Sequence, residues 1–169
     1  MRIIFLDIDG VLCTGRAMIG RPIGHVGGKY FDPIAMQILN RICKETEAEV
    51  VVSSTWRFDN SCREILRCVG FSGKFFGNTD QSWRTPYNPQ GSRGKQIEAW
   101  IIMNYRDNFQ GWTDTSQIEE LEYVILDDDS DMLEHQLPRF VKIDHDVGLN
   151  VKDYFKIKEL FGIPETLIT

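Results

Sequence analysis

The sequence predicts an α/β protein built on a doubly wound, mainly parallel sheet, and three segments carry this prediction. Residues 2–8, 49–54 and 122–126 are short and nearly continuous apolar runs, as expected of strands that are buried on both faces. Amphipathic helical stretches separate these runs. The alternation of strands with helices is typical of a parallel sheet that is covered by helices on both sides.

Capping and periodicity predict the remaining elements. Asp32 followed by Pro33 is a favourable helix start, and the apolar residues behind it recur at helical spacing as far as Ile42. Four further helices and one strand are predicted, namely helices over 59–69, from Gly94, in a short segment after Asp129 and from about 150 to 161, and a strand at 140–143. Residues 71–92 are rich in Gly, Asn, Pro and aromatics, and they predict no regular element.

The domain organisation follows from chain length and spacing. A chain of 169 residues suits one hydrophobic core, so residues 1–169 are predicted to form a single domain. Residues 13–31 are Gly-rich and lack a helical period, which predicts a flap or loop insertion. Fewer than 50 residues separate Asp9 from Ser54, and a predicted helix uses many of them, so no large cap domain is expected.

Composition narrows the classes of function. Hydrophobic residues make up 42% of the chain, which argues against disorder, and the net charge of −6 means that contact with nucleic acid needs a local basic patch. No apolar run is long enough for a membrane span and no signal peptide is evident. The four cysteines form no C-x-x-C pair, so we expect free thiols and a cytoplasmic location.

Reactive polar side chains follow three of the predicted strands. These residues form three pairs: Asp7 and Asp9, Ser53 and Ser54, and Asp127 and Asp128. Ligands of open α/β sheets bind outside the carboxyl ends of the strands, so we expect the three pairs to converge. Clustered carboxylates need a cation, and hard oxygen ligands point to Mg²⁺, which would also allow a phosphoryl group to approach.

The spacing of these residues suggests a role for each. Asp7 and Asp9 face the same side if the strand continues that far, so Asp7 can attack phosphorus while Asp9 acts as the general acid/base. Gly10 lets the chain turn sharply after the pair. A serine hydroxyl can donate to a phosphoryl oxygen, and Lys95 at a helix start adds a positive charge.

The motifs and their order resemble the haloacid dehalogenase (HAD) superfamily of Rossmann-like hydrolases. The resemblance is carried in order by Phe5-Leu6-Asp7-Ile8-Asp9-Gly10-Val11, by Val50-Val51-Val52-Ser53-Ser54, by Lys95, and by Val124-Ile125-Leu126-Asp127-Asp128. A closer similarity to the small HAD domains associated with RNA-repair proteins, relatives of the polynucleotide kinase phosphatase domain, lies in Ser54-Thr55-Trp56-Arg57, Arg93-Gly94-Lys95 and Phe140-Val141-Lys142.

The resemblance implies specific roles. Asp7 would be the phosphorylated nucleophile and a metal ligand, and Asp9 would act as acid/base and lend its backbone carbonyl to the metal. Asp128 would be a direct ligand, with Asp127 holding a metal-bound water or the lysine. Ser54 is favoured over Ser53 as the second-motif residue because related domains place the hydroxyl two residues before the tryptophan.

Several assignments stay open at this level. Arg93 is the rival of Lys95 for the third motif. Arg57 has two candidate roles, namely binding substrate phosphate or forming a structural ion pair with an acid. Trp56 is expected to pack in the protein rather than to stack on a base. Four residues of the irregular segments are candidates for a nucleotide-stacking surface or for loop residues without a function: Tyr30, Trp83, Arg84 and Tyr87.

The expected function is Mg²⁺-dependent hydrolysis of phosphomonoesters through an aspartyl-phosphate. The expected partner is a phosphorylated substrate, either a small molecule or a nucleic-acid end, with no membrane and no obligate protein partner. A signalling receiver domain is disfavoured because its acid pair comes first in the chain, whereas here it comes last. The alternative to an enzyme is a non-catalytic or signalling module of the same fold that binds Mg²⁺ and phosphate. Among the reactions of the superfamily, Asp9 favours phosphate chemistry over dehalogenation.

Overall fold

The computed structural model describes residues 1–77, 81–88, 91–106 and 121–164. The strands are β1 (Arg2–Leu6), β2 (Gly24–Val26), β3 (Lys29–Phe31), β4 (Glu49–Val52), β5 (Lys74–Phe75), β6 (Glu122–Asp127) and β7 (Phe140–Lys142). The α-helices are α1 (Gly15–Ile19), α2 (Pro33–Thr46), α3 (Cys62–Cys68), α4 (Arg93–Ile101) and α5 (Val151–Leu160). Short 3₁₀ helices span Thr55–Phe58 and Glu134–Arg139, and a π-helical turn, Ile102–Arg106, extends α4.

Five strands form one parallel sheet in the order β5–β4–β1–β6–β7, which confirms the predicted doubly wound α/β fold. Successive residues of a strand point to opposite faces. Accordingly, Ile4 and Leu6 of β1 join a core with α2 and α5, while Ile3 and Phe5 join a second core with α4. Both faces of the sheet are therefore covered, which explains why the strands are continuously apolar.

The connections leave β1 and β6 in opposite directions. The chain passes from β1 to β4 and β5 on one side, and then returns to place β6 and β7 on the other. Adjacent strands whose connections diverge in this way leave a crevice at their carboxyl ends, where open α/β proteins bind ligands. The candidate site therefore belongs at the ends of β1 and β6, with β4 beside them.

Side-chain caps mark the starts of helices α2, α4 and α5, and the cap of α2 is the one predicted from the sequence. The carboxylate of Asp32 accepts hydrogen bonds from the amides of Ile34 and Ala35 and so caps α2, in which Pro33 is the first residue. Ser92 caps α4 through the amide of Lys95, and Asn150 caps α5. Because caps depend on local sequence, these boundaries lie close to the predicted ones.

Residues 13–31 form the short helix α1 followed by the antiparallel hairpin β2–β3, which we call the flap hairpin (Gly24–Phe31). Within the segment 71–92, for which no element was predicted, the structure adds the edge strand β5 and a single parallel bridge between Val52 and Arg84. Both extend the sheet beyond β4. Residues 78–80 and 89–90 of that segment lie outside the described part of the chain.

Two predictions from composition concern properties of the whole chain. All four cysteines are free thiols, and three of them are buried. Among the residues that the structure describes, no helix is both long and apolar enough to cross a bilayer.

Candidate active site

The end of β1 places Asp7 in the crevice. The strand ends at Leu6, and the amide of Asp7 still donates to the carbonyl of Leu126 at 2.9 Å, which continues the pairing with β6 by one residue. The regular strand does not extend to Asp9, because the chain folds into a turn in which the amide of Gly10 donates to the carbonyl of Cys13 at 2.8 Å. The turn, not strand periodicity, therefore sets the direction of Asp9.

Gly10 is required by this turn and by its neighbour. Its φ angle is +74°, and a Cβ at this position would lie 2.4 Å from Cγ of Asp128. A side chain would therefore collide with one of the candidate metal ligands. The predicted sharp turn after the acid pair has a second purpose, which is to let the backbone approach that carboxylate closely.

Three carboxylates converge at the crevice. Oxygen atoms of Asp7, Asp127 and Asp128 all lie within 4.8 Å of one another, and Asp7 and Asp127 are 4% and 0% exposed. Burial raises the pKa of the Asp7 carboxyl, while the charge of Arg93 and the Ser54 hydroxyl oppose the increase. Burial and then the charge of Asp7 raise the pKa of Asp127. The protein alone therefore holds more negative charge here than it compensates.

Arg93, not Lys95, is the basic side chain that reaches these acids. Nη2 of Arg93 lies 3.3 Å from Oδ1 of Asp7, and its Nε lies 3.1 Å from Oδ2 of Asp127. The side chain of Lys95 is exposed, and in the described ranges no ion pair joins it to an acid of the site. Residues two apart on a helix point about 200° apart, so only one of the pair can face the acids.

The loop after β6 fixes Arg93 in this position. The carboxylate of Asp131 accepts a hydrogen bond of 2.7 Å from the amide of Arg93, and the amide of Gly94 donates to the Asp131 carbonyl. A Cβ on Gly94 would lie 2.5 Å from the amide nitrogen of Leu133. The start of α4 is thus packed directly against the loop that carries Asp127 and Asp128.

Two serines follow β4, and the structure distinguishes them. The hydroxyl of Ser54 hydrogen-bonds to Asp7 and lowers the pKa of that carboxyl against the effect of burial. The hydroxyl of Ser53 is buried and has no hydrogen-bond partner among the described residues. Ser54, rather than Ser53, is therefore the hydroxyl beside Asp7, the candidate nucleophile.

Arg57 points inward and holds the loop after β4. Its Nη1 donates to the backbone carbonyls of Ser53 and Ser54 at 2.6 and 2.7 Å, and its Nη2 donates to Oε1 of Gln96 at 2.6 Å. Arg57 is only 2% exposed. This arrangement matches neither role predicted for Arg57, because its guanidinium donates to backbone carbonyls and a side-chain amide and not to a carboxylate or an open substrate site.

Asp9 has partners that sequence reasoning did not identify. Nε1 of Trp56 donates to Oδ2 of Asp9 at 3.2 Å, and Nζ of Lys29 on the flap hairpin lies 3.4 Å from Oδ1. The ring of Trp56 also packs edge-on against Phe31, with the ring centroids 5.5 Å apart. Trp56 therefore both packs and orients the candidate acid/base. In the sequence, the only feature that could have marked Lys29 as a partner of the site is its position directly after Gly27 and Gly28.

The candidate stacking residues do not form one surface. Trp83 is 2% exposed and belongs to the core, and Nη1 of Arg84 donates to the carbonyl of Arg57 at 2.5 Å. Tyr30 pairs with His25 on the flap hairpin, while the exposed Tyr87 lies edge-on to Phe58 on another part of the surface.

A large cavity in the described part of the chain lies away from the acids. Its volume is about 1050 Å³, and its lining comes from the end of α2, the residues before β4 and the start of β5, including Lys44, Ala48 and Lys74. This is the amino edge of the sheet, whereas the acids lie at the carboxyl edge. Cavity size is therefore a poorer guide to the chemistry of this protein than the convergence of charged groups.

Comparison with known proteins agrees with the geometry. A family profile described as "HAD domain in Swiss Army Knife RNA repair proteins" matches residues 3–154, which is most of the chain. No curated protein and no solved structure gives a significant match.

Proposed function

The chain belongs to the family of HAD domains found in Swiss Army Knife RNA repair proteins, and from this premise we propose that it is a Mg²⁺-dependent phosphomonoester hydrolase. Family membership supports a phosphatase-type hydrolase at the level of the superfamily. The observation that carries the finer proposal is the convergence of three carboxylates, from Asp7, Asp127 and Asp128, within 4.8 Å at the switch point of the sheet.

The residues of this cluster fit Mg²⁺. Their donors are hard oxygen atoms, and Oδ2 of Asp127 is buried and, apart from its ion pair with Arg93, accepts no hydrogen bond in the part of the chain that the structure describes. The side chains of Asp7 and Asp128 and the backbone carbonyl of Asp9 would hold the ion, with Asp127 beside them. When bound, the ion would supply positive charge that offsets the carboxylates and the phosphoryl oxygens.

In the first half of the proposed reaction, a carboxylate oxygen of Asp7 attacks phosphorus. The new bond joins Asp7 to phosphorus as the ester bond breaks, and the carboxyl of Asp9 gives its proton to the leaving oxygen. Arg93 and the Ser54 hydroxyl lie beside Asp7 and can donate to the other phosphoryl oxygens, where negative charge increases in the transition state.

In the second half, Asp9 works in the reverse sense. It accepts a proton from water as the water oxygen attacks phosphorus, and the bond to Asp7 breaks to release inorganic phosphate and restore the carboxylate. Trp56 supports this role because its indole N–H holds one oxygen of Asp9, while the side chain of Asp9 stays 35% exposed. Water can therefore reach the acid/base without a large movement of the protein.

The site favours phosphorylated substrates that extend beyond the phosphate, such as nucleotides or nucleic-acid ends. Among the described residues, the cover beside the site is a flap hairpin of eight residues, from Gly24 to Phe31, which cannot enclose a small ligand as a folded domain would. The family description, which associates these domains with RNA repair, supports the same class.

Substitution of the nucleophile tests the proposal. Asp7→Asn should abolish Mg²⁺-dependent release of phosphate from p-nitrophenyl phosphate, and Asp9→Asn should reduce it strongly because the leaving oxygen loses its proton donor. Asp129→Asn is the matched control, since this exposed acid lies in the same acidic run but outside the cluster. Wild-type protein that is inert on aryl phosphates, nucleotides and nucleic-acid ends but binds Mg²⁺ would instead favour the non-catalytic module.

A further inference from the structure

The flap hairpin directs one positive charge at Asp9. Nζ of Lys29 lies 3.4 Å from Oδ1 of Asp9, while the other oxygen of that carboxylate receives the indole N–H of Trp56. Two of the three acids at the candidate metal site, Asp7 and Asp127, are paired instead with Arg93. The two cations therefore serve different parts of the site.

The base of the flap hairpin is fixed while its tip is open. Phe31 is fully buried, and the amide of Thr14 donates to the carbonyl of Tyr30 at 3.4 Å. At the tip, Gly27 and Gly28 have positive φ angles, and a Cβ built on either would meet nothing within 4 Å. Lys29 follows these glycines directly, so its half-exposed side chain extends from an anchored strand towards Asp9.

The ion pair between Lys29 and Asp9 is easily exchanged. The side chains of Lys29 and Asp9 are 51% and 35% exposed, although Oδ1 of Asp9 is itself shielded from water and accepts no hydrogen bond within the described ranges. Ion pairs between exposed side chains contribute little to stability because water screens them. Because half of the Lys29 side chain is in water, an anion that approaches Asp9 can take over this lysine without unfolding the flap hairpin.

The position of Lys29 determines which part of a substrate it meets. In the proposed reaction Asp9 protonates the leaving oxygen, so groups next to Asp9 face the leaving alcohol and not the transferred phosphoryl group. Arg93 and Ser54 already serve the phosphoryl group. We propose that Lys29 is a specificity residue that binds a second phosphate carried by the leaving alcohol.

This inference rests on the proposed function and narrows it to a substrate class. The preferred substrates are phosphomonoesters whose alcohol carries another anionic phosphate close to the ester oxygen. Neutral alcohols leave Lys29 paired with Asp9 and gain nothing from it. Because the contact is exposed, the preference should weaken at high ionic strength.

Matched substrate pairs test the assignment. One pair is adenosine 3′-phosphate with and without a methyl phosphodiester at the 5′ position, and the second is glycerol 3-phosphate with and without a methyl phosphodiester at position 1. The added diester brings a charge that a monoesterase does not remove. The two pairs show whether the second phosphate is recognised on a nucleoside or on any short alcohol.

Wild-type protein should prefer the diester-bearing member of at least one pair. Lys29→Gln should reduce the ratio of the two kcat/KM values by about fivefold, mainly through KM, as expected for one exposed charge contact. Lys29→Arg should restore the ratio because it keeps the charge. Lys44→Gln is the control, since this exposed lysine lies on α2 near the amino edge of the sheet.

Each remaining outcome is decisive. Equal kcat/KM values for both members in the wild type, or a ratio that Lys29→Gln does not change, would overturn the assignment while the phosphatase proposal stands. Wild-type protein that hydrolyses neither these substrates nor an aryl phosphate would refute the phosphatase proposal and this inference with it.

Discussion

Replacing Arg93 by alanine removes the guanidinium that lies between two buried acids. Its Nη2 and Nε lie 3.3 and 3.1 Å from carboxylate oxygens of Asp7 and Asp127, and its side chain is 16% exposed. The substitution should lower both the rate of phosphate release and the stability of the metal-free protein. Both losses result from removing the guanidinium between Asp7 and Asp127, and their expected sizes differ.

The loss of activity should be large. A preorganised donor that faces developing charge in a water-poor site is worth about 2.7–4 kcal/mol, so kcat should fall by about 10²–10³. The loss of stability should be smaller than the roughly 3–5 kcal/mol expected when one partner of a buried ion pair is removed. Burial has already raised the pKa values of Asp7 and Asp127, so the acids can take up protons. We expect about 1–3 kcal/mol in EDTA at neutral pH, and less with Mg²⁺.

Kinetics with an aryl phosphate and thermal unfolding with and without Mg²⁺ measure the two effects. Lys95→Ala is the matched control because its exposed side chain starts the same helix. It should change stability by less than about 0.5 kcal/mol and leave kcat nearly unchanged. The reasoning is refuted if Lys95→Ala loses as much activity as Arg93→Ala, or if Arg93→Ala keeps the wild-type rate.

Two further predictions follow from the acid cluster. Asp127→Asn should raise the melting temperature in EDTA at pH 7, because burial and the charge of Asp7 raise the pKa of Asp127 to about 7. The folded state holds that proton more tightly than the unfolded state, so the stability of the wild type should fall as pH rises towards 7. The stability of the variant should depend less on pH. A variant that is less stable than the wild type in EDTA would contradict this reasoning. Gly10→Ala should weaken Mg²⁺ binding, measured by calorimetry, and reduce activity, because its Cβ would lie 2.4 Å from Cγ of Asp128. Gly70→Ala, at φ +97° with nothing within 4 Å, should cost about 1–2 kcal/mol of backbone strain and keep both properties; equal losses in the two variants would contradict a role for Gly10.

Much of the fold could be predicted because its signals are local. The buried strands are short apolar runs, and residues such as Asp32 and Ser92 cap the helices that follow them. In a parallel sheet the carboxyl ends of the strands share one edge, so strand order alone brings Asp7 and Asp127 together. The edge strand β5 escaped prediction because it has only two residues and little periodicity.

The sequence by itself therefore determined the sheet, the acid cluster and the family, since strand ends and motif order are properties of contiguous segments. Only the tertiary structure decided which cations reach the acids. Arg93 faces them instead of Lys95 because the loop after β6 sets the rotation of α4, and Arg57 turns towards backbone carbonyls. Lys29 meets Asp9 because the flap hairpin folds over the turn after β1. Side-chain direction depends on packing between segments that are distant in sequence, and residue spacing alone does not encode it.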